Sequence, residues 1–138
     1  MMRKKSKKGF TLVELVVTMV ILGILAGITV PLYRNYIRRG RAQEGFMLLG
    51  SVSSALDAYW TEHGTFTGAS GNGNTDLGNL NIDARGNTYF TSYTLETLTE
   101  TRYTVSTEAE PGTDAEGISL TMTGGTDTRA EISVDFDD

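Results

Sequence analysis

Glu14 is the residue whose chemistry demands an explanation. It stands among Phe10, Leu12, Val13, Leu15, Val16 and Val17, at the start of a long apolar run. A carboxylate near hydrocarbon is costly unless paired, and such residues mark functional sites. The chemistry on offer is ion pairing in a dry setting, with snorkelling to lipid headgroups as the plainer alternative. Other reactive side chains are scarce. The chain has one histidine, His63, and no cysteine, which excludes disulfides, zinc–thiolate sites and thiol nucleophiles. His63 sits beside the expected end of a helix, where a solvated imidazole near the C-terminal dipole is ordinary. No Walker A, H-E-x-x-H or dinucleotide fingerprint occurs, so neither enzymatic activity nor a cofactor is expected. Asn72, Asn74, Asp76 and Asp83 fall at the first, third, fifth and twelfth positions of an EF-hand-like spacing. Leu77 stands where that loop needs glycine, so a polar loop without metal is the expectation.

The elements that position Glu14 come next. Leu15 to Tyr33 carries no charge; as helix it spans roughly 28 Å, close to the ~30 Å of a hydrocarbon core. A secretory signal peptide would place a small-residue cleavage site after the apolar run, and Ala26-Gly27-Ile28-Thr29-Val30-Pro31 offers none. Gly23 and Gly27 permit close helix approach in a membrane. Together with Pro31 they also weaken the helix, by about 1 kcal/mol per glycine and about 3 kcal/mol for an interior proline. Beyond Pro31 the pattern turns amphipathic. Phe46, Leu49, Val52, Leu56 and Tyr59 recur at spacings of three and four, with Glu44, Ser53, Asp57 and Glu62 expected outward or to the sides. Counting from Thr11, one helix of some fifty residues reaches His63, with Gly64 as its cap.

Residues 64–88 are dense in Gly and Asn and read as a connecting loop. Strands are expected over Tyr89–Leu95, Arg102–Thr107, Ile118–Met122 and Ala130–Phe136, with turns at Pro111-Gly112 and Gly124-Gly125. One-sided alternation and short links imply an α+β fold: a long N-terminal helix packed on a four-stranded antiparallel meander over 89–138.

Charge is partitioned sharply. Arg3, Lys4, Lys5, Lys7 and Lys8 precede Gly9, and Arg34, Arg38, Arg39 and Arg41 follow the apolar run. From Ala42 onward three arginines face sixteen acids, a net charge of −13. So acidic a surface repels nucleic acid, and no nucleic-acid binding is expected. Should copies of this chain pack together, the four arginines after the span are expected to face acids on neighbouring copies, with lipid headgroups as the alternative. Phe10, Tyr33, Tyr36, Phe46, Tyr59 and Trp60 lie along the one helix, where ordinary packing accounts for aromatics.

Lys8-Gly9-Phe10-Thr11-Leu12-Val13-Glu14-Leu15 resembles the N-terminal signature of type IV pilins and pseudopilins, most like a type IVa major pilin. The resemblance runs through the apolar helix to Pro31 and Tyr36. It implies a leader over 1–9 cut by prepilin peptidase between Gly9 and Phe10, followed by N-methylation of Phe10. It implies that the carboxylate of Glu14 pairs with the Phe10 amine of a neighbouring subunit, each charge offsetting the other's desolvation. It also implies a transmembrane and filament-core helix over 10–36, continued over 37–63 into a globular head. Local melting of the helix around Gly23, Gly27 and Pro31 is expected in the assembled filament, a proline kink in a continuous helix being the alternative.

The implied function is a major pilin, self-assembled into a helical polymer by a pilus assembly platform. It would be held in the bacterial inner membrane as a precursor and displayed on the cell surface afterwards. A major pseudopilin of a type II secretion system is the nearest alternative. A minor pilin and a membrane-anchored binding domain that never polymerises are more distant ones. The chain departs from the family pattern in two places: without cysteine it has no disulfide-closed C-terminal loop, and Gly64-Thr65-Phe66-Thr67 lacks the proline common after the helix.

Overall fold

A computed structural model describes residues 9–137. The basic segment of the expected leader, residues 1–8, lies outside them. A single helix, α1, runs Leu12–His63, followed by β1 (Thr94–Leu98), β2 (Arg102–Glu108), β3 (Ile118–Gly125) and β4 (Glu131–Phe136). The chain divides into two compact units, one ending at Tyr36 and the other beginning at Ile37.

In the first unit, α1 continues without a break through Gly23, Gly27 and Pro31. Proline has no N–H, so the carbonyl of Gly27 lacks its helical donor. The hydroxyl of Thr29 donates to the Leu25 carbonyl at 2.8 Å, keeping its polar atom on the helix itself. The helix C-terminus is set by Gly64, whose φ of +71° and N–H bond to the Trp60 carbonyl (2.7 Å) form the expected glycine cap.

In the second unit, α1 buries Ala42, Gly45, Leu48, Leu49, Val52 and Leu56. The four strands form one antiparallel sheet in the order β1-β2-β3-β4. Tyr103, Val105, Ile118, Leu120 and Met122 share the core with those helical side chains. Each fully buried aliphatic or aromatic side chain contributes about 1.5–3 kcal/mol of transfer free energy. Gly45 lets helix and sheet approach: a Cβ there would lie 2.8 Å from Leu120 Cδ1.

Two strand boundaries differ from the sequence expectation, each for a visible reason. β1 begins at Thr94, because the N–H groups of Thr88, Tyr89 and Phe90 donate to the Glu44 carboxylate and that of Tyr93 to the Asn72 carbonyl. Those donors are therefore lost to the ladder. Gly124 and Gly125 form no turn; they extend β3, paired with Tyr103 and Arg102. A Cβ on Gly124 would sit 2.5 Å from Tyr103 Oη, so the missing side chain makes room for the tyrosine ring.

The connection between helix and sheet is tightly built despite its composition. Asn72 Oδ1 accepts the N–H groups of Asn74, Thr75 and Asp76, closing an Asx-type turn. Gly78 adopts φ +55°, and a Cβ there would lie 2.0 Å from the Ser70 carbonyl oxygen. Gly78→Ala is expected to destabilise the head by at least about 2 kcal/mol through strain and clash. Chemical denaturation of the full chain in detergent measures it, and an unchanged midpoint would contradict this geometry.

Candidate functional site

The start of α1 organises the site. Thr11 N–H and Thr11 Oγ1 both donate to Glu14 Oε2, at 2.9 and 2.8 Å, while Glu14 N–H donates to Thr11 Oγ1 at 3.3 Å. This is a reciprocal capping box, which satisfies donors that a helix N-terminus otherwise leaves orphaned. The acid also lies at the positive end of the helix dipole. Both Thr11 donors, the backbone N–H and the hydroxyl, fall on Oε2, so the second carboxylate oxygen takes part in neither bond. Glu14 is therefore fixed in direction while keeping acceptor capacity for another cation.

Around it the surface is largely apolar. Phe10 is 87% exposed, and Leu12, Val13, Leu15, Val16 and Val17 are exposed as well. The outward face continues through Leu22, Leu25, Ile28 and Leu32 to Tyr33 and Tyr36. This helix is long and apolar enough to cross a membrane, and none of its most apolar stretch is buried within the chain. So extended an apolar surface marks a membrane or protein contact. At Gly23 and Gly27 a Cβ would meet nothing within 4 Å, so no packing inside the chain explains either glycine.

Two of the arginines following the span have partners within the chain. Arg41 pairs with Asp114 of its own chain at 3.1 Å and also donates to the Asp114 carbonyl. Arg38 donates to the Asp137 carbonyl at 2.6 Å and lies over the Phe136 ring, 5.5 Å from its centroid. Both tie the helix to the C-terminal part of the head, so their first partners are intramolecular. Among the described residues no acid pairs with Arg34 or Arg39.

Glu44, expected outward or to the side of the helix, takes the side position. It is half-buried and accepts the N–H groups of Tyr89 (2.6 Å), Phe90 (2.9 Å) and Thr88 (3.1 Å). Burial alone would raise its pKa; the three amides outweigh burial and hold it below the ordinary value. Ser53 likewise turns inward, 2.8 Å from Tyr103 Oη. Neither bond has a sequence signal, because each partner is remote in the chain. The Thr11–Glu14 box did have one: Thr-x-x-Glu before an apolar run.

The polar loop keeps its oxygens for itself. Asp76 Oδ1 accepts from Gly78 N–H, and Asp83 is clamped by Arg85 at 2.7 Å. The side-chain bond from Arg85, with its backbone N–H, holds the Asp83 carboxyl down to about 2. Among the described residues, no group of three or more His, Cys, Asp or Glu is placed to hold a metal ion. His63 stacks on Tyr59, ring centroids 4.0 Å apart, with Nδ1 3.0 Å from the Tyr59 carbonyl.

A family model described as the prokaryotic N-terminal methylation motif matches residues 4–30, the segment that contains Gly9, Phe10 and Glu14. The chain is 40% identical over 65 residues to fimbrial protein EcpC of Eikenella corrodens, covering 47% of this chain and 42% of that protein. It is 40% identical over 58 residues to type IV major pilin protein PilE1 of Neisseria gonorrhoeae, covering 42% of this chain and 35% of that one. The chain thus carries an N-terminal methylation motif and is similar, over part of its length, to type IV pilins. The chain spans under half the length of these relatives. No solved structure matches the chain. The chain has the α+β architecture expected from its sequence, one long N-terminal helix and a four-stranded antiparallel sheet.

Proposed function

We propose that this chain is a type IV pilin, the major subunit of a type IV pilus. The observation that carries the proposal is Glu14: a carboxylate held in place by Thr11, beside Phe10, on a helix whose apolar surface the chain does not cover. Cleavage between Gly9 and Phe10 by prepilin peptidase removes the leader, and the freed Phe10 amine is methylated. The mature subunit is anchored in the inner membrane by the helix over 10–36 until the assembly platform transfers it to the growing filament.

In the filament, the positive Phe10 amine of one subunit meets the Glu14 carboxylate of the next. Either charge alone in an apolar bundle costs several kcal/mol; paired, they fix the axial register of stacking. The same amine and the Thr11 donors are compatible, because Glu14 accepts Thr11 on one oxygen only. Gly23 and Gly27 allow neighbouring helices to approach, and the segment from Gly23 to Pro31 loses helical order on packing. The acidic head then coats the filament, and its like charge disfavours lateral aggregation.

Intact mass and N-terminal analysis of filaments sheared from the producing cells tests this reading. The dominant chain is expected to begin at Phe10 bearing one methyl group. A chain cut at that bond but confined to the membrane fraction would point to a secretion pseudopilus. A dominant chain retaining Met1 would overturn the pilin role.

A further inference from the structure

The sheet is wider than the helix that covers it. Four strands at about 4.8 Å spacing span some 14 Å, against a helix diameter of about 10–12 Å. Tyr103, Val105, Ile118, Leu120 and Met122 on β2 and β3 are consequently buried, whereas Ile132, Val134 and Phe136 on β4 are only half-buried. β4 is an edge strand, paired with β3 alone. Beside it, Arg39, Ala42, Gln43 and Phe46 of α1 face Val134 and Phe136 across a groove of about 330 Å³. Its floor is apolar and Arg39 stands at its rim, exposed and without an acid partner among the described residues.

We infer that this groove is a subunit–subunit contact, occupied by the head of a second copy of this chain. The inference rests on the polymer reading above and names the head surface through which the polymer closes. The charge pattern selects the occupant. From Ala42 onward the chain carries −13, so heads of identical copies repel wherever they meet without a cation. Arg39 supplies that cation beside an apolar strip needing cover. A carboxylate of the neighbouring head on Arg39, with an apolar side chain against Phe46, Val134 and Phe136, meets both requirements. The groove and its complement are different surfaces. Such a contact is heterologous and propagates into an open helical array rather than closing a dimer.

The absence of cysteine makes the test direct. Gln43→Cys is labelled with a benzophenone maleimide, filaments are irradiated, and products are sized and mass-mapped. Thr123→Cys, on the opposite face of β3, serves as the outward control. Cross-linking from position 43 to another copy is expected, at least about tenfold above position 123 and reduced by Arg39→Glu, as for a site protected by assembly. Intact filaments in which position 43 links only within its own chain, to a different protein, or no better than position 123 would overturn the groove contact alone. Correctly cut chains that form no filaments even without substitution would overturn the polymer reading and the groove with it.

Discussion

Filaments are expected to disappear from cells carrying Glu14→Gln, although the helix start survives. Glutamine serves as well as glutamate in the third position of a capping box, so the Thr11 bonds have a ready replacement acceptor. What glutamine lacks is the negative charge. If that charge offsets a neighbour's Phe10 amine, its loss leaves an uncompensated buried cation at about 3–5 kcal/mol per contact. Association at each step then weakens by a factor of at least about a hundred. Thr11→Ala is the converse change. It removes the cap at about 0.5–2 kcal/mol but keeps the carboxylate, and filaments persist at reduced yield. Counting filaments by electron microscopy, with immunoblots for leader cleavage, separates the two. Abundant filaments from Glu14→Gln would reduce Glu14 to a helix cap.

The second large effect is in the head. Glu44→Ala is expected to destabilise it by about 3 kcal/mol, because three backbone N–H groups lose a charged acceptor worth about 1.5–3 kcal/mol each, partly recovered from water. For a head of this size, that lowers the melting temperature by roughly 10–25 °C. Glu44→Gln keeps one acceptor oxygen and should fall between. The pH dependence has a definite sign. The folded-state pKa of Glu44 lies below the ordinary glutamate value, so its contribution is complete above that value and is lost as pH falls through the folded pKa. Wild-type melting curves should therefore lose stability in this acid window, and Glu44→Gln should flatten that part of the profile. Thermal unfolding across the acid range, followed by circular dichroism, gives both results. A Glu44→Ala protein as stable as wild type would remove the latch.

These two acids show why some of the molecule was legible in its sequence and some was not. The helix to His63, the Gly64 cap and the alternation of β2, β3 and β4 rest on local periodicity and on the conformational freedom of glycine, both written in adjacent residues. Glu14 could be singled out because a charge in an apolar run is conspicuous within a few positions. Glu44 was not legible as a latch. Its partners lie more than forty residues away, and only the packed fold brings them together. The same bonds displaced β1 from its apparent start at Tyr89, a tertiary override of strand propensity. The partners of Arg38 and Arg41 within the chain were illegible for a related reason. Basic residues after a membrane span suggest external partners, but Asp137 and Asp114 of the same chain reach them first.

The most direct test of the central claim is the position of the Glu14 carboxylate in a side-chain-resolution map of the assembled filament. It should lie within ion-pairing distance, under about 4 Å, of a neighbouring subunit's Phe10 amine. A carboxylate bound only to its own Thr11, with the neighbour's amine elsewhere, would contradict the account.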